Sequence, residues 1–201
     1  MKIFCVGLNY KDHIAEMKHF NYPDNPVIFM KPPTALLKNG QPFFYPSFSK
    51  DVHYEGEVVL RVCKNGKKID EKFAHKYVDQ FTLGLDITAR DLQAELKKKG
   101  WPWEIAKSFD GSAFIGDFIP FDMQKPIQFT IQKNKQQVQS GNTEDLIFPF
   151  PKLISYISQF FSLQQGDLVY TGTPQGVGPV QAGDVIEGFV EGKRLLVCEV
   201  K

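Results

Sequence analysis

The stretch His53–Cys63 alternates in side-chain type with a period of two, which is the pattern of a β-strand with two different faces. One face is made of small and apolar side chains, namely Tyr54, Gly56, Val58, Leu60 and Val62. The other face is more polar, and its members are His53, Glu55, Glu57, Val59 and Arg61. The apolar face predicts a strand that lies against a hydrophobic core, so the chain needs a sheet with a second layer covering it.

The rest of the chain favours strands and turns over long helices. Six prolines interrupt the first 50 residues, which predicts extended segments there apart from one helical turn at Asp12–Met17. Apolar runs predict further strands at Lys2–Val6, Phe81–Ile87, Ile127–Lys133 and Gln136–Gln139, and two similar turn-and-strand phrases at Gln165–Val169 and Ala182–Ile186. Amphipathic stretches predict helices at about Asp70–Asp79, from Thr88 to Gly100, and at Pro151–Phe161. We expect one domain over residues 1–201, β-rich α+β in class, with about three helices.

Composition excludes several classes of function. Lys and Arg total 24 against 23 Asp and Glu, so the net charge of +1 gives no basis for binding nucleic acid or an anionic membrane. No apolar run approaches the ~20 residues of a membrane-spanning helix. The cysteines, Cys5, Cys63 and Cys198, are odd in number and far apart, which predicts neither a disulfide framework nor a zinc site and favours the reducing cytoplasm.

The acidic residues are the most informative polar group. Glu55 and Glu57 point to the same side of their strand, where two carboxylates repel each other unless a cation or a proton lies between them. A solvent-exposed strand face is the alternative. Asp86 closes an apolar run and is either a substitute cap or a ligand, and Thr88 already offers a capping oxygen, with Asp91 as its capping-box partner. Together the three carboxylates form an oxygen-only set suited to Mg²⁺, Mn²⁺ or Ca²⁺.

Other polar residues allow two interpretations each. Lys107 follows an aromatic loop and is either a surface lysine or part of a site. His13 with Glu16 is either a surface turn or a general base with the carboxylate that orients it. The loop that begins at Thr171-Gly172-Thr173-Pro174 is either an anion-binding backbone or a tight turn.

Taken together, several phrases resemble the fumarylacetoacetate hydrolase family, in particular its shorter members without an N-terminal accessory domain. They occur in the family's order and cover nearly the whole chain. The phrases are Val6-Gly7-Leu8-Asn9-Tyr10 through Glu16, Phe29-Met30-Lys31-Pro32, Asp51 through Glu57, Asp86 through Gln93, Lys107-Ser108-Phe109-Asp110, and Thr171 through Pro179.

The resemblance implies a fold, a metal site and a set of functional residues. The fold would be a twisted, mixed β-roll or sandwich of packed sheets, usually assembled as a homodimer. The metal, Mg²⁺ or Mn²⁺ with Ca²⁺ as a substitute in crystals, would be held by Glu55, Glu57 and Asp86. His13 and Glu16 would be the base dyad on a mobile lid at residues 12–20. The groups that hold the carboxylate and keto oxygens of the substrate would be Arg90, Gln93, Lys107 and Thr173.

The resemblance further implies a divalent-metal-dependent enzyme that acts on a small 2-keto or β-diketo acid through a metal-bound enolate. Mg²⁺-dependent C–C hydrolysis of an acylpyruvate, of the fumarylpyruvate or acetylpyruvate type, ranks first. Oxaloacetate decarboxylation or tautomerisation and 2-hydroxyhepta-2,4-diene-1,7-dioate isomerisation follow, and the alternative of another class is a non-catalytic metal-binding dimer. Two positions depart from the pattern: Leu8 stands where several acylpyruvate-cleaving relatives have Arg, and Pro33 where Ser or Thr is common.

Overall fold

The computed structural model describes residues 1–12 and 23–201, and strands dominate this part of the chain. The strands are β1 (Ile3–Gly7), β2 (Val27–Lys31), β3 (Leu36–Lys38), β4 (Val52–Tyr54), β5 (Gly56–Val62), β6 (Val78–Asp86), β7 (Thr88–Ala89), β8 (Ala113–Ile115), β9 (Ile119–Pro120), β10 (Gln128–Lys133), β11 (Gln136–Asn142), β12 (Leu168–Tyr170), β13 (Gly178–Pro179), β14 (Val185–Val190) and β15 (Lys193–Glu199). The α-helices among the described residues are α1 (Arg90–Lys99), α2 (Glu104–Lys107) and α3 (Phe150–Phe160). Short 3₁₀ helices occur at Pro33–Ala35, Glu71–Lys76 and Thr143–Asp145.

The strands form three sheets. The largest has eight strands in the order β2-β1-β12-β5-β6-β8-β3, with β9 beside β6. It is mixed, because β1 with β12 and β3 with β8 run parallel while its other pairs are antiparallel. A four-stranded antiparallel sheet, β11-β10-β14-β15, and a three-stranded sheet, β13-β4-β7, complete the fold. The expectation of a mixed, β-rich fold with a few short helices is confirmed.

Strand β5 lies at the centre of the large sheet and is covered on both faces. Val58 and Leu60 are fully buried in one apolar cluster, which also holds Ile131 of the four-stranded sheet. Val59 points the other way and is fully buried in a second cluster with Tyr170. The predicted apolar face is confirmed, and the face that carries the glutamates is buried as well.

The predicted continuous strand His53–Cys63 is wrong in one respect, since the chain divides it at Glu55. Strand β4 pairs with β7 and β13, whereas β5 pairs with β6 and β12. The backbone N–H of Gly56 donates to Oε1 of Gln139 at 2.9 Å, so a side chain completes the ladder at the break. The division leaves Glu55 at the corner between two sheets.

Two helix predictions are corrected by sheet pairing. The predicted helix Asp70–Asp79 is only the short 3₁₀ helix Glu71–Lys76, because Val78 already pairs with Val62 of β5. Thr88 is not an N-cap: it pairs with β4, its hydroxyl donates to the Asp86 carbonyl oxygen at 3.2 Å, and α1 begins at Arg90.

The end of α1 and the last third of the chain match their predictions closely. Gly100 ends α1 in the left-handed conformation, with φ of 65°. The predicted hairpin is the pair β10–β11, whose second strand continues to Asn142, and the last helix is displaced by a single residue from the predicted range. Both predicted turn-and-strand segments lead into strands, which are β12 and β14.

Candidate active site

Three carboxylates meet where β5 and β6 run side by side. Glu57 lies on β5, Asp86 ends β6, and the Asp86 N–H donates to the Glu55 carbonyl oxygen at 2.9 Å. Glu55, Glu57 and Asp86 are 6%, 2% and 1% exposed as whole residues, and one carboxylate oxygen from each lies within 4.8 Å of the others. The alternative of a solvent-exposed strand face is therefore wrong, since these carboxylates converge in the interior.

Lys107, at the end of α2, joins two of the carboxylates. Its Nζ donates to Oε2 of Glu55 at 2.7 Å and to Oδ2 of Asp86 at 2.9 Å, and the residue is only 4% exposed. Burial lowers the pKa of Lys107, but the charges of Asp86 and Glu55 outweigh it and the pKa is raised overall. The surface-lysine interpretation is wrong, and the ammonium is held protonated.

Arg90 and Gln93 lie on the first turn of α1 beside the same carboxylates. One Arg90 nitrogen donates to Oε1 of Glu55 at 2.6 Å, and the other donates to Oε1 of Gln93 at 2.7 Å. The bond fixes the Gln93 amide, so its oxygen faces Arg90 and its NH₂ group is left as a donor.

Lys31 is a further cation of the site, to which the sequence assigned no role. Its Nζ lies 2.8 Å from Oδ1 of Asp86 and contacts the carbonyl oxygens of Ile87, Lys107 and Ser112. It is 1% exposed. The one feature of the sequence that could have indicated this role is the position of the charge, at the end of the apolar strand β2 and immediately before two prolines. Lys31 therefore anchors Asp86 and the end of α2 to each other.

Glu57 has a different environment from the other two carboxylates. Its Oε2 accepts a 2.7 Å hydrogen bond from the Gly172 N–H. Burial and repulsion from Asp86 raise the pKa of Glu57 well above its usual value; the Gly172 bond opposes this, and Glu55 adds to it. A cation beside Glu57 would offset that cost.

The donor set fits a hard divalent cation. Oδ1 of Asp86 is buried and accepts no hydrogen bond from the described residues, because Lys31 approaches it at ion-pair distance without hydrogen-bond alignment. Together with Glu55 and Glu57 it offers oxygen only, the chemistry that Mg²⁺, Mn²⁺ and Ca²⁺ prefer. The three residues could hold such an ion.

Gly172 can place its N–H against Glu57 because its φ of 104° is open to glycine, and a Cβ there would lie 2.7 Å from the Asn9 Cβ. We expect Gly172→Ala to cost about 1–3 kcal/mol of unfolding free energy and to weaken binding of Mg²⁺. Gly183→Ala is the matched control, with a φ of 96° and no atom within 4 Å of the added Cβ. Urea unfolding and a metal titration measure both variants; equal losses would contradict a special role for Gly172.

Thr173 lines the site, but its hydroxyl is already engaged. The hydroxyl donates to the Gly56 carbonyl oxygen at 2.9 Å and accepts from Nε2 of Gln139 at 2.9 Å. Gln139 is a buried residue that the sequence did not single out, and it fastens the Thr173 loop to the break between β4 and β5. The substrate contact assigned to Thr173 stays a prediction.

A cavity of about 460 Å³, counting its part open to solvent, lies over the carboxylates. Its wall residues are Val6, Gly7, Leu8, Phe29, Glu55, Glu57, Asp86, Arg90, Gln93, Lys97, Trp103, Lys107 and Thr173. Leu8 lies there with a positive φ of 60°, a conformation that is uncommon for a residue other than glycine.

The predicted base dyad lies outside the described residues. His13, Glu16 and the predicted lid apart from Asp12 fall within residues 13–22. Of the predicted site residues, the structure brings together Glu55, Glu57, Asp86, Arg90, Gln93, Lys107 and Thr173.

A mixed β-roll with converging carboxylates beside buried cations defines a metal-dependent enzyme. The chain belongs to the fumarylacetoacetate (FAA) hydrolase C-terminal family, whose model matches residues 2–201. Mouse oxaloacetate tautomerase FAHD1, mitochondrial, is 41% identical over 202 residues, which cover 99% of this chain and 91% of that protein.

Solved structures agree with this assignment. Fumarylpyruvate hydrolase from Pseudomonas aeruginosa, in complex with Mn²⁺ and pyruvate, has a TM-score of 0.92 at 36% identity and covers 100% of this chain and 89% of its own. The 2-hydroxyhepta-2,4-diene-1,7-dioate isomerase from Mycobacterium marinum has a TM-score of 0.86 at 31% identity, covering 99% of this chain and 73% of its own. In the described part of this chain, no helix is long and apolar enough to cross a membrane.

Proposed function

We propose that this chain enolises a small 2-keto acid and that keto–enol tautomerisation of oxaloacetate is its main reaction. The observation that carries the proposal is the buried, protonated Lys107, held against Glu55 and Asp86 in the wall of the cavity. A fixed positive charge at this point stabilises the oxyanion that forms when a keto acid becomes an enolate.

The choice among reactions differs from the ranking that the sequence suggested. Hydrolysis requires an activated water in addition to enolate stabilisation, whereas tautomerisation requires only the transfer of the proton at C3. The mouse tautomerase supports the change of order, since it is 41% identical and aligns with 99% of this chain.

We propose Glu55, Glu57 and Asp86 as the ligands of Mg²⁺ or Mn²⁺. When bound, such an ion supplies Lewis acidity toward the keto and carboxylate oxygens of the substrate. The fit of the oxygen-only donor set supports the assignment, as does the Mn²⁺ in the related hydrolase structure.

The protein's own groups would then share the remaining work. Arg90 and the NH₂ group of Gln93 would bind the substrate carboxylate that is next to the keto group, since both residues lie on one turn of α1 beside the carboxylate cluster. Lys107 would hold a proton throughout and act as a fixed charge rather than as a base. His13, oriented by Glu16, would move the proton at C3.

The proposal is tested by a panel of three substrates in Mg²⁺: oxaloacetate, acetylpyruvate and fumarylpyruvate, each followed by absorbance. We expect the highest kcat/KM for the tautomerisation of oxaloacetate. A higher kcat/KM for cleavage of fumarylpyruvate would overturn the main reaction and favour hydrolysis, which the similarity to the Pseudomonas hydrolase supports as the second candidate.

The role of His13 gives a separate prediction. Hydrolysis needs a base to activate water, whereas decarboxylation of oxaloacetate needs chiefly stabilisation of the enolate. We expect His13→Ala to lower any acylpyruvate hydrolysis by about 10²–10⁴-fold and to reduce decarboxylation less. Steady-state rates for both reactions measure the contrast, and equal losses would remove His13 from water activation.

Assembly and location complete the proposal. We propose a homodimer with a keto-acid substrate and no nucleic-acid or membrane partner; exposed apolar side chains such as Phe44 and Phe48 support a buried contact. Sedimentation velocity tests the homodimer.

Location in the cytoplasm stays a prediction. Cys5, Cys63 and Cys198 are free thiols, but the mouse relative is named as mitochondrial.

A further inference from the structure

Lys97 is a cation in the cavity wall that the proposed mechanism leaves without a role. It lies on α1 four residues after Gln93 and seven after Arg90, so the three residues share one face of the helix. All three line the cavity above the carboxylates. The two lysines that follow it, Lys98 and Lys99, are exposed, whereas Lys97 is partly buried.

The backbone of Lys97 lies farther from the metal end of the cavity than the backbone of Arg90. Arg90 contacts Glu55 directly, and seven residues of helix rise by roughly 10 Å. Helical side chains lean toward the N-terminus, so the long Lys97 side chain extends back over the cavity. Its ammonium lies 5.3 Å from the ring centroid of Trp103, another wall residue.

The electrostatic environment of Lys97 favours an anion. Burial, and then the charges of Arg90 and Lys107, lower the pKa of Lys97 to about 8, while Glu55 acts in the opposite direction. A substrate carboxylate in the cavity would act on the ammonium in the same direction as Glu55. On another part of the wall, Leu8 offers no charge to such a group.

From this placement we infer that Lys97 binds the second carboxylate of the substrate, the one farther from the three acidic residues, and makes the site selective for keto diacids. The inference rests on the proposed function, because it assumes that Arg90 and Gln93 bind the carboxylate that is next to the keto group. It assigns the preference for a dianionic substrate to one side chain, while Lys107 serves mono- and diacids alike.

The test compares oxaloacetate with its 4-methyl ester, which keeps the enolisable carbon but lacks the second charge. We expect Lys97→Met to lower kcat/KM for oxaloacetate by about 10- to 100-fold, mostly through KM, and to change the ester's kcat/KM by less than about 3-fold. Lys97→Arg should restore most of the preference, and Lys98→Met, on the exposed side of α1, should change neither value. Equal losses for both substrates, or no loss for either, would overturn the inference.

A binding measurement keeps this inference separate from the proposed reaction. The Mg²⁺-loaded protein is titrated with oxalate, which reaches only the metal end, and with 3,3-difluorooxaloacetate, which has no proton at C3. Lys97→Met should lower the binding affinity for the fluorinated diacid by about 10-fold or more and leave the affinity for oxalate unchanged. If wild type lacks tautomerase activity but this contrast holds, the proposed reaction fails and the role of Lys97 stands; if both ligands weaken equally, the role of Lys97 fails.

Discussion

Glu57→Gln should abolish turnover and remove the ability of Mg²⁺ to stabilise the protein, while the metal-free fold remains intact. A glutamine keeps the carbonyl oxygen that the Gly172 N–H requires, so the local hydrogen bond survives. It removes one of three converging charges. Mutation of a residue that only hydrogen-bonds to a metal ligand lowers metal affinity by about 10- to 100-fold, and we expect a larger loss here because a ligand itself changes.

The expected stability of this variant has an unusual sign. A carboxyl whose pKa is raised by folding destabilises the protein above its unfolded pKa, and this cost grows as the pH rises toward the folded pKa. Metal-free Glu57→Gln should therefore melt at the same temperature as the wild type or higher. In saturating Mg²⁺ the order should reverse, because ligand at 100 times its Kd adds about 2.7 kcal/mol to the wild type alone.

Thermal melts with and without Mg²⁺ and isothermal titration of the metal measure these effects. Glu95→Gln is a suitable control, because Glu95 is exposed on α1 and pairs only with Lys99 among the described contacts. A Glu57→Gln protein that binds Mg²⁺ like the wild type would show that the carboxylate cluster is not the metal site.

The carboxylate cluster could be predicted from the sequence because its signals are local. Alternation places Glu55 and Glu57 on one side, and the apolar run before Asp86 places that residue at a strand end. The remaining step, that β5 and β6 are neighbours, follows the tendency of successive strands to pair. The break at Glu55 has no local signal, because the Gln139 side chain that completes it comes from β11.

Other features depend on segments that meet only in the folded chain. Lys31 binds carbonyl oxygens of Ile87, Lys107 and Ser112, which belong to distant parts of the sequence. Thr88 has the side chain of an N-cap, but its pairing with β4 prevails over that propensity. Lys97 resembles its exposed neighbours in sequence, and only the direction of the helix face distinguishes it.

Lys107→Met should have the opposite effect on metal binding and a comparable effect on catalysis. The ammonium of Lys107 lies 2.7 Å from Glu55 and 2.9 Å from Asp86, so its removal leaves two buried carboxylates with one cationic partner fewer. Breaking such buried pairs costs about 3–5 kcal/mol. The metal-free variant should melt lower than the wild type, and Mg²⁺ should raise its melting temperature by a larger increment.

Turnover should nevertheless fall in Lys107→Met, by about 10²–10³-fold for oxaloacetate tautomerisation and for any acylpyruvate cleavage, because both pass through the same oxyanion. Lys125→Met, at an exposed lysine that does not line the cavity, controls for the loss of charge alone. Tighter metal binding together with lost turnover would show that Lys107 stabilises the oxyanion and is not needed to retain the metal. If turnover in saturating Mg²⁺ matched the wild type, Lys107 would serve only to balance the buried charge of Glu55 and Asp86, and the enolate chemistry would have to rest on the metal, Arg90 and Gln93.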